Sequence, residues 1–192
     1  GAGRAGLRLL VGALVFRDLE AFGAASVGIR GNSTLTFNGN SELVLDKTYA
    51  GSGTLILDNA GRTTLTSTGS GSPAFLGDID IRSGVVRLGH AQVFGTTSGS
   101  TFVRAGATLD LAGQGSNLST ATATNERFVL AGAGVGGQGA VVNSYVNAGV
   151  PAYFLRNVVL AAATTIGAEG RIDIRDNGGS ALLDMGGFDL TK

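Results

Sequence analysis

Phe75-Leu76-Gly77-Asp78-Ile79-Asp80-Ile81-Arg82-Ser83-Gly84-Val85-Val86-Arg87-Leu88-Gly89 decides how this chain folds, together with Phe102-Val103-Arg104-Ala105-Gly106-Ala107-Thr108-Leu109-Asp110-Leu111 after a short link. The segments are short, glycine closes most of them, and each restarts before a helix could form. Asp78, Asp80 and Arg82 alternate with Ile79 and Ile81. On an extended chain the charges take one face and the isoleucines the other. Strands this short do not hold a sheet alone. They become stable when copies stack.

Composition points the same way. The chain has 192 residues, 33 of them glycine, against 43% hydrophobic and 15% charged residues. Glycine far exceeds its usual ~7%, yet no Gly-X-Y period marks a collagen. The apolar fraction is too high for a disordered linker. Bursts of Val, Ile, Leu, Thr and Phe between turns predict an all-β chain. Formal net charge is zero, which gives no electrostatic footprint for nucleic acid. Without cysteine, stability must come from packing and ladder hydrogen bonds. The longest apolar run, Leu9 to Phe16, is far below the ~20 residues of a membrane-spanning helix. Arg4 and Arg8 precede it, but the run lacks a clean cleavage signal. The chain is expected to be a segment of a longer protein, with any export signal or membrane anchor outside it.

Working outward, strands are predicted at Val11–Phe16, Thr34–Phe37, Glu42–Leu45, Thr54–Leu57 and Thr63–Thr66, then Arg127–Leu130, Ala140–Asn143, Asn157–Leu160, Arg171–Arg175 and Leu182–Met185. Asp18–Phe22 reads as a corner and Ser116–Thr124 as a loop. Leu35, Leu55, Ile79 and Val103 recur at 20- to 24-residue intervals. A period in the low twenties means a solenoid with one turn per repeat. The expected fold is therefore a right-handed single-stranded parallel β-helix of about eight or nine turns, one continuous domain over 1–192. Leu35, Phe37, Leu55, Leu57, Ile79, Ile81, Leu109, Leu111, Val129, Ile172 and Ile174 are predicted to face inward.

Several stretches resemble the passenger-associated transport (autotransporter-associated β-strand) repeats of autotransporter passenger regions. They are Gly51-Ser52-Gly53-Thr54-Leu55-Ile56-Leu57, Phe75-Leu76-Gly77, Ile79 to Gly89, and Val103-Arg104-Ala105-Gly106-Ala107-Thr108-Leu109-Asp110-Leu111. Asn157–Leu160, Thr164–Gly167, Gly170–Arg175 and Asp184–Lys192 are similar to such passengers as well. The resemblance implies export to the surface of a Gram-negative bacterium, a stalk or scaffold role, and a membrane barrel beyond this segment.

Candidate chemistry is sparse. Gly132-Ala133-Gly134-Val135-Gly136-Gly137 spells a dinucleotide fingerprint, but another strand follows instead of a phosphate-binding helix, so it reads as a glycine-rich bend. Gly136-Gly137-Gln138-Gly139 starts like a calcium nonapeptide, but Val141 stands where an aspartate is needed. His90 is the only histidine, reads as an exposed corner residue, and cannot make a zinc site alone. Thr34, Thr36, Thr54, Thr64, Thr66 and Thr68 are too irregular for an ice-binding array. The remaining set is Asp78, Asp80, Arg82, Asp110 and Asp173, with Arg104 and Asp184 near it in type. Aligned turns could bring Asp80 and Asp110 together for glycoside chemistry, which needs carboxyls roughly 5–10 Å apart. Mixed charges on a solvent face are the plainer reading.

The primary expectation is a non-enzymatic structural or display segment of an exported surface protein, such as part of an adhesin, without cofactor or metal. Its partners would be host or matrix ligands or carbohydrate. Two alternatives stand beside it: a carbohydrate-binding or polysaccharide-cleaving β-helix using the outward aspartates, and an end-to-end filament subunit.

Overall fold

A computed structural model describes residues 7–9, 12–16, 26–66, 75–90, 93–114, 126–146, 154–167, 169–175 and 181–192. Among them the secondary structure is strand, except for a 3₁₀ turn at Val135–Gly137. The long sheet stacks β2 (Ala13–Phe16), β4 (Thr34–Gly39), β7 (Thr54–Leu65), β8 (Ile79–Leu88), β9 (Ser100–Val103), β11 (Arg127–Gly132), β14 (Asn157–Thr165) and β16 (Leu182–Asp184) in that order. Every pairing is parallel. Each neighbour in the sheet is one coil further along the chain, which makes the molecule a parallel β-solenoid.

One inward column shows the register. It runs Leu14, Leu35, Leu55, Ile79, Thr101, Phe128, Val158 and Leu183. Coil-to-coil steps take 20 to 24 residues as far as Thr101 and 25 to 30 beyond it. Eight strands give seven steps, fewer than eight or nine turns. The expected count assumed the tight N-terminal period throughout, whereas the later coils are longer.

β7, β8 and β14 run through a bend and supply two faces each. Their second halves pair with β5 (Leu43–Leu45), β10 (Thr108–Asp110) and β17 (Leu190–Thr191), and β10 also pairs with β12 (Val141–Val142). A third side is built by β1 (Leu7–Leu9), β3 (Ser26–Ile29) and β6 (Thr48–Ala50), and later by β13 (Phe154–Leu155) with β15 (Asp173–Ile174). Predicted Asp18–Phe22 and Ser116–Thr124 lie outside the described residues.

Alternation explains the core. Leu35, Phe37, Leu55, Leu57, Ile79, Ile81, Leu109 and Leu111 are buried, as expected, and Ile172 and Ile174 pack half-buried against them. Val129 is a correction: it is half-buried and pairs with Phe102 and Val159 on the outer side, while Phe128 and Leu130 face in. Arg127 fixes the parity, because a cation keeps to solvent and its two-residue partner Val129 follows it. Phe128 meets Phe94 edge-to-face at 5.2 Å, filling the interior between coils.

At one corner three successive coils carry glycine and leave no room for a side chain. A Cβ on Gly77 would strike the carbonyl oxygen of Gly53, and one on Gly99 the carbonyl of Gly77. The three stack directly, so consecutive coils approach backbone to backbone. The register that pairs Arg127 with Ser100 puts Glu126 opposite Gly99 in the next coil.

Candidate functional site

The outward strip of β8 and β9 carries the predicted charges. Asp80 faces out between Ile79 and Ile81, but is only 4% exposed. Its Oδ2 lies 2.8 Å from Nε of Arg82, two residues on, and its Oδ1 2.6 Å from Nε of Arg104, one coil on. The Arg104 guanidinium also sits 4.8 Å from the centroid of the Phe102 ring. Asp78 accepts a hydrogen bond from the Ser100 amide at 2.9 Å. Asp58 accepts from Asn38 and Ser83 of the flanking coils at 3.1 and 2.9 Å. These contacts run along the solenoid axis and bind successive coils.

Asp110 stands elsewhere. It aligns with Arg87 and Val142 on the second face, past the bend that separates it from Asp80. It accepts from the Ala112 amide at 3.0 Å, the Ser144 amide at 3.0 Å and the Ser144 hydroxyl at 2.7 Å, with Arg87 Nε at 4.0 Å. Asp173 lies on the third side in β15, 2.8 Å from Arg171 Nε and 3.2 Å from Arg175 Nε. The expected approach of Asp80 to Asp110 is therefore not found. The two belong to different columns, and each carboxylate is engaged by its own neighbours. Asp184, still further along, is exposed and binds the Gly186 amide at 2.9 Å.

The other motifs resolve simply. The Gly132–Gly139 stretch is a bend, with Gly132, Gly134, Gly136, Gly137 and Gly139 all at positive φ. Val135 donates to Thr108 Oγ1 there, leaving no helix to receive a phosphate. The threonine row breaks early: Thr36 is followed in register by Ile56 and Asp80. His90 is half-buried rather than exposed. Among the described residues no three His, Cys, Asp or Glu side chains gather as metal ligands, and no helix is long and apolar enough to cross a membrane.

Sequence reasoning missed Glu126. It is 1% exposed, where the three preceding coils carry Gly53, Gly77 and Gly99. Thr101 donates to its Oε1 at 3.1 Å, while Oε2 is buried without a hydrogen-bond partner. Burial pushes its carboxyl up to about 8, and the nearby Asp78 charge adds to the rise. The only signal was positional: a charge just before a strand, in a slot that the three preceding coils fill with glycine. No family model, curated protein or solved structure matches this chain.

Proposed function

We propose that this chain is a structural display segment of an exported bacterial surface protein: a β-solenoid spacer that holds adjoining parts of a passenger away from the cell. The observation that carries this reading is how the outward aspartates are used. Asp80, Asp110 and Asp173 lie on three different sides, and each is held by arginines or amides of its own or adjacent coils. Such pairs brace a column and converge on no substrate. Parallel ladders add about 4.8 Å of length per coil, and neighbour-only contacts let folding propagate coil by coil. Export and surface location rest on the repeat resemblance at Gly51–Leu57, Ile79–Gly89 and Val103–Leu111.

The test fuses the chain between an export signal and an outer-membrane barrel, with an epitope at its N-terminus. The epitope is expected on intact Gram-negative cells, above a solenoid core that resists added protease. A chain that stays in the periplasm, or that is digested as readily as an unfolded one, overturns the reading. The carbohydrate alternative draws no support from the scattered aspartates. It would be revived by saccharide binding that Asp80→Asn abolishes.

A further inference from the structure

Asn32-Ser33-Thr34 is an asparagine followed two residues on by a hydroxyl, the acceptor pattern for N-linked sugar. The same pattern at Asn117-Leu118-Ser119 lies outside the described residues. The fold puts Asn32 at a corner just ahead of β4. The Ser33 amide donates to the Arg30 carbonyl at 3.0 Å, closing a turn in which Gly31 takes φ +56°. The Gly31 amide donates to Ser52 Oγ of the next coil at 3.3 Å, which pins the turn. Asn32 is exposed, and its side-chain amide makes no hydrogen bond. That sets it apart from the other described asparagines. Asn38 donates to Asp58 and Asn40 accepts from Ser41. Asn59 and Asn143 are buried and bonded, and Asn157 is half-buried. The Thr34 hydroxyl is also unengaged, on a half-buried residue that alternates with inward Leu35. Ser33, by contrast, is 1% exposed. In register, the following coils carry Ser52, Leu76 and Ser98 at this corner, all exposed, so it stays open in that direction.

We infer that Asn32 is an N-glycosylation acceptor, modified by a transferase that uses a sugar activated as a glycosyl phosphate or pyrophosphate. The amide nitrogen bonds to C1 of the sugar. The C1–oxygen bond to the phosphate breaks, the phosphate leaves with the electron pair, and one amide proton passes to a base on the enzyme. Because neither the Asn32 amide nor the Thr34 hydroxyl is engaged, the enzyme breaks no hydrogen bond to reach them. Asn38 would first have to leave Asp58. Asn32 lies outside β4, so a sugar there adds bulk to the corner without disturbing the ladder. The inference rests on the export part of the display reading, since this pattern marks surface loops of exported chains.

Intact mass and tryptic mapping of the chain from the cells that make it test this. The peptide Gly31–Lys47, which also holds Asn38 and Asn40, is expected to carry a saccharide on Asn32. An increment of one sugar identifies a nucleotide-activated donor, and a block of several a lipid-linked one. Asn32→Gln and Thr34→Val should each abolish the modification, and Thr34→Ser should keep it. The circular dichroism spectrum should be the same for all three variants, because the turn is exposed and valine suits the strand. An unmodified Asn32 overturns the inference. So does sugar on Asn38 or Asn40 alone, or sugar on Asn32 that survives Thr34→Val. Protease access to the chain on intact cells is scored in the same samples. An unmodified Asn32 on a surface-exposed chain sinks this inference alone, whereas a chain that stays inside the cell sinks the display reading.

Discussion

The coils before Thr101 and those after it solve the same stacking problem differently. In the earlier part, steps of 20 to 24 residues carry Gly53, Gly77 and Gly99 one above another at a corner. In the later part, steps of 25 to 30 residues bring Glu126 to that position. The glycine corner brings backbones together at the cost of chain entropy. The glutamate corner instead buries a titratable group with one orphan oxygen, which is costly when ionised. Of the two corners, the later one should therefore make stability depend on protons between pH 4.5 and about 8.

The largest expected effect lies in the tight region. Leu57 is 0% exposed, between Phe37 and Ile81 in its column. Leu57→Ala should cost about 2–5 kcal/mol in urea unfolding, because a dense stack cannot collapse around the hole. Leu183→Ala, at a 37% exposed position of the neighbouring column, should cost under about 1 kcal/mol. Equal losses at the two sites would mean that the columns are not what holds the coils together.

Glu126 gives the next effect. Its carboxyl sits near 8 in the folded chain against 4.5 when exposed. Below 4.5 both states hold the proton, and the group leaves stability unchanged. Between 4.5 and 8 the folded state keeps a proton that the unfolded state has released, so stability falls as pH rises. Above 8 both are ionised and the penalty is complete. Glu126→Gln keeps an oxygen for the Thr101 hydroxyl and removes the charge. The variant should match the parent at pH 4 and exceed it by on the order of 5 kcal/mol at pH 9. Parallel stability–pH curves for the two proteins would show that the buried carboxylate is solvated after all.

How much of this was legible follows from where the information sits. The alternation in Thr34–Phe37, Thr54–Leu57 and Ile79–Arg82, with the spacing of Leu35, Leu55 and Ile79, was enough for the solenoid and its inward set, because period and parity are local properties of a strand. Val129 was misplaced because Phe128-Val129-Leu130 is apolar throughout and offers no alternation of its own. Alternation turns Asp80 and Asp110 away from the apolar core, but both are buried there, held by Arg104 and Ser144, residues 24 and 34 positions away. Glu126 left no periodic trace. The turn count was overestimated for a related reason: a longer coil is visible only when its two strands are already paired.

The smallest effects compare two carboxylates of one design. Asp80 and Asp173 are each flanked by two arginine Nε groups within 3.2 Å. They differ in burial, with side-chain exposures of 6% and 15%, and in reach. Asp80 takes one arginine from the next coil, whereas both partners of Asp173 come from its own coil. Asp80→Asn removes a link between coils and leaves Arg104 stacked on Phe102 with a weaker anchor. The expected cost is about 1–2 kcal/mol, kept low because both arginines are half in water. Asp173→Asn breaks only contacts within one coil and should cost under about 1 kcal/mol, a difference that added salt erases. The double-mutant cycle of Asp80→Asn with Arg104→Gln separates the causes. A coupling that survives high salt assigns the pair to inter-coil bracing. A coupling that vanishes, leaving the two aspartates equivalent, makes both of them surface charges that merely keep the column soluble.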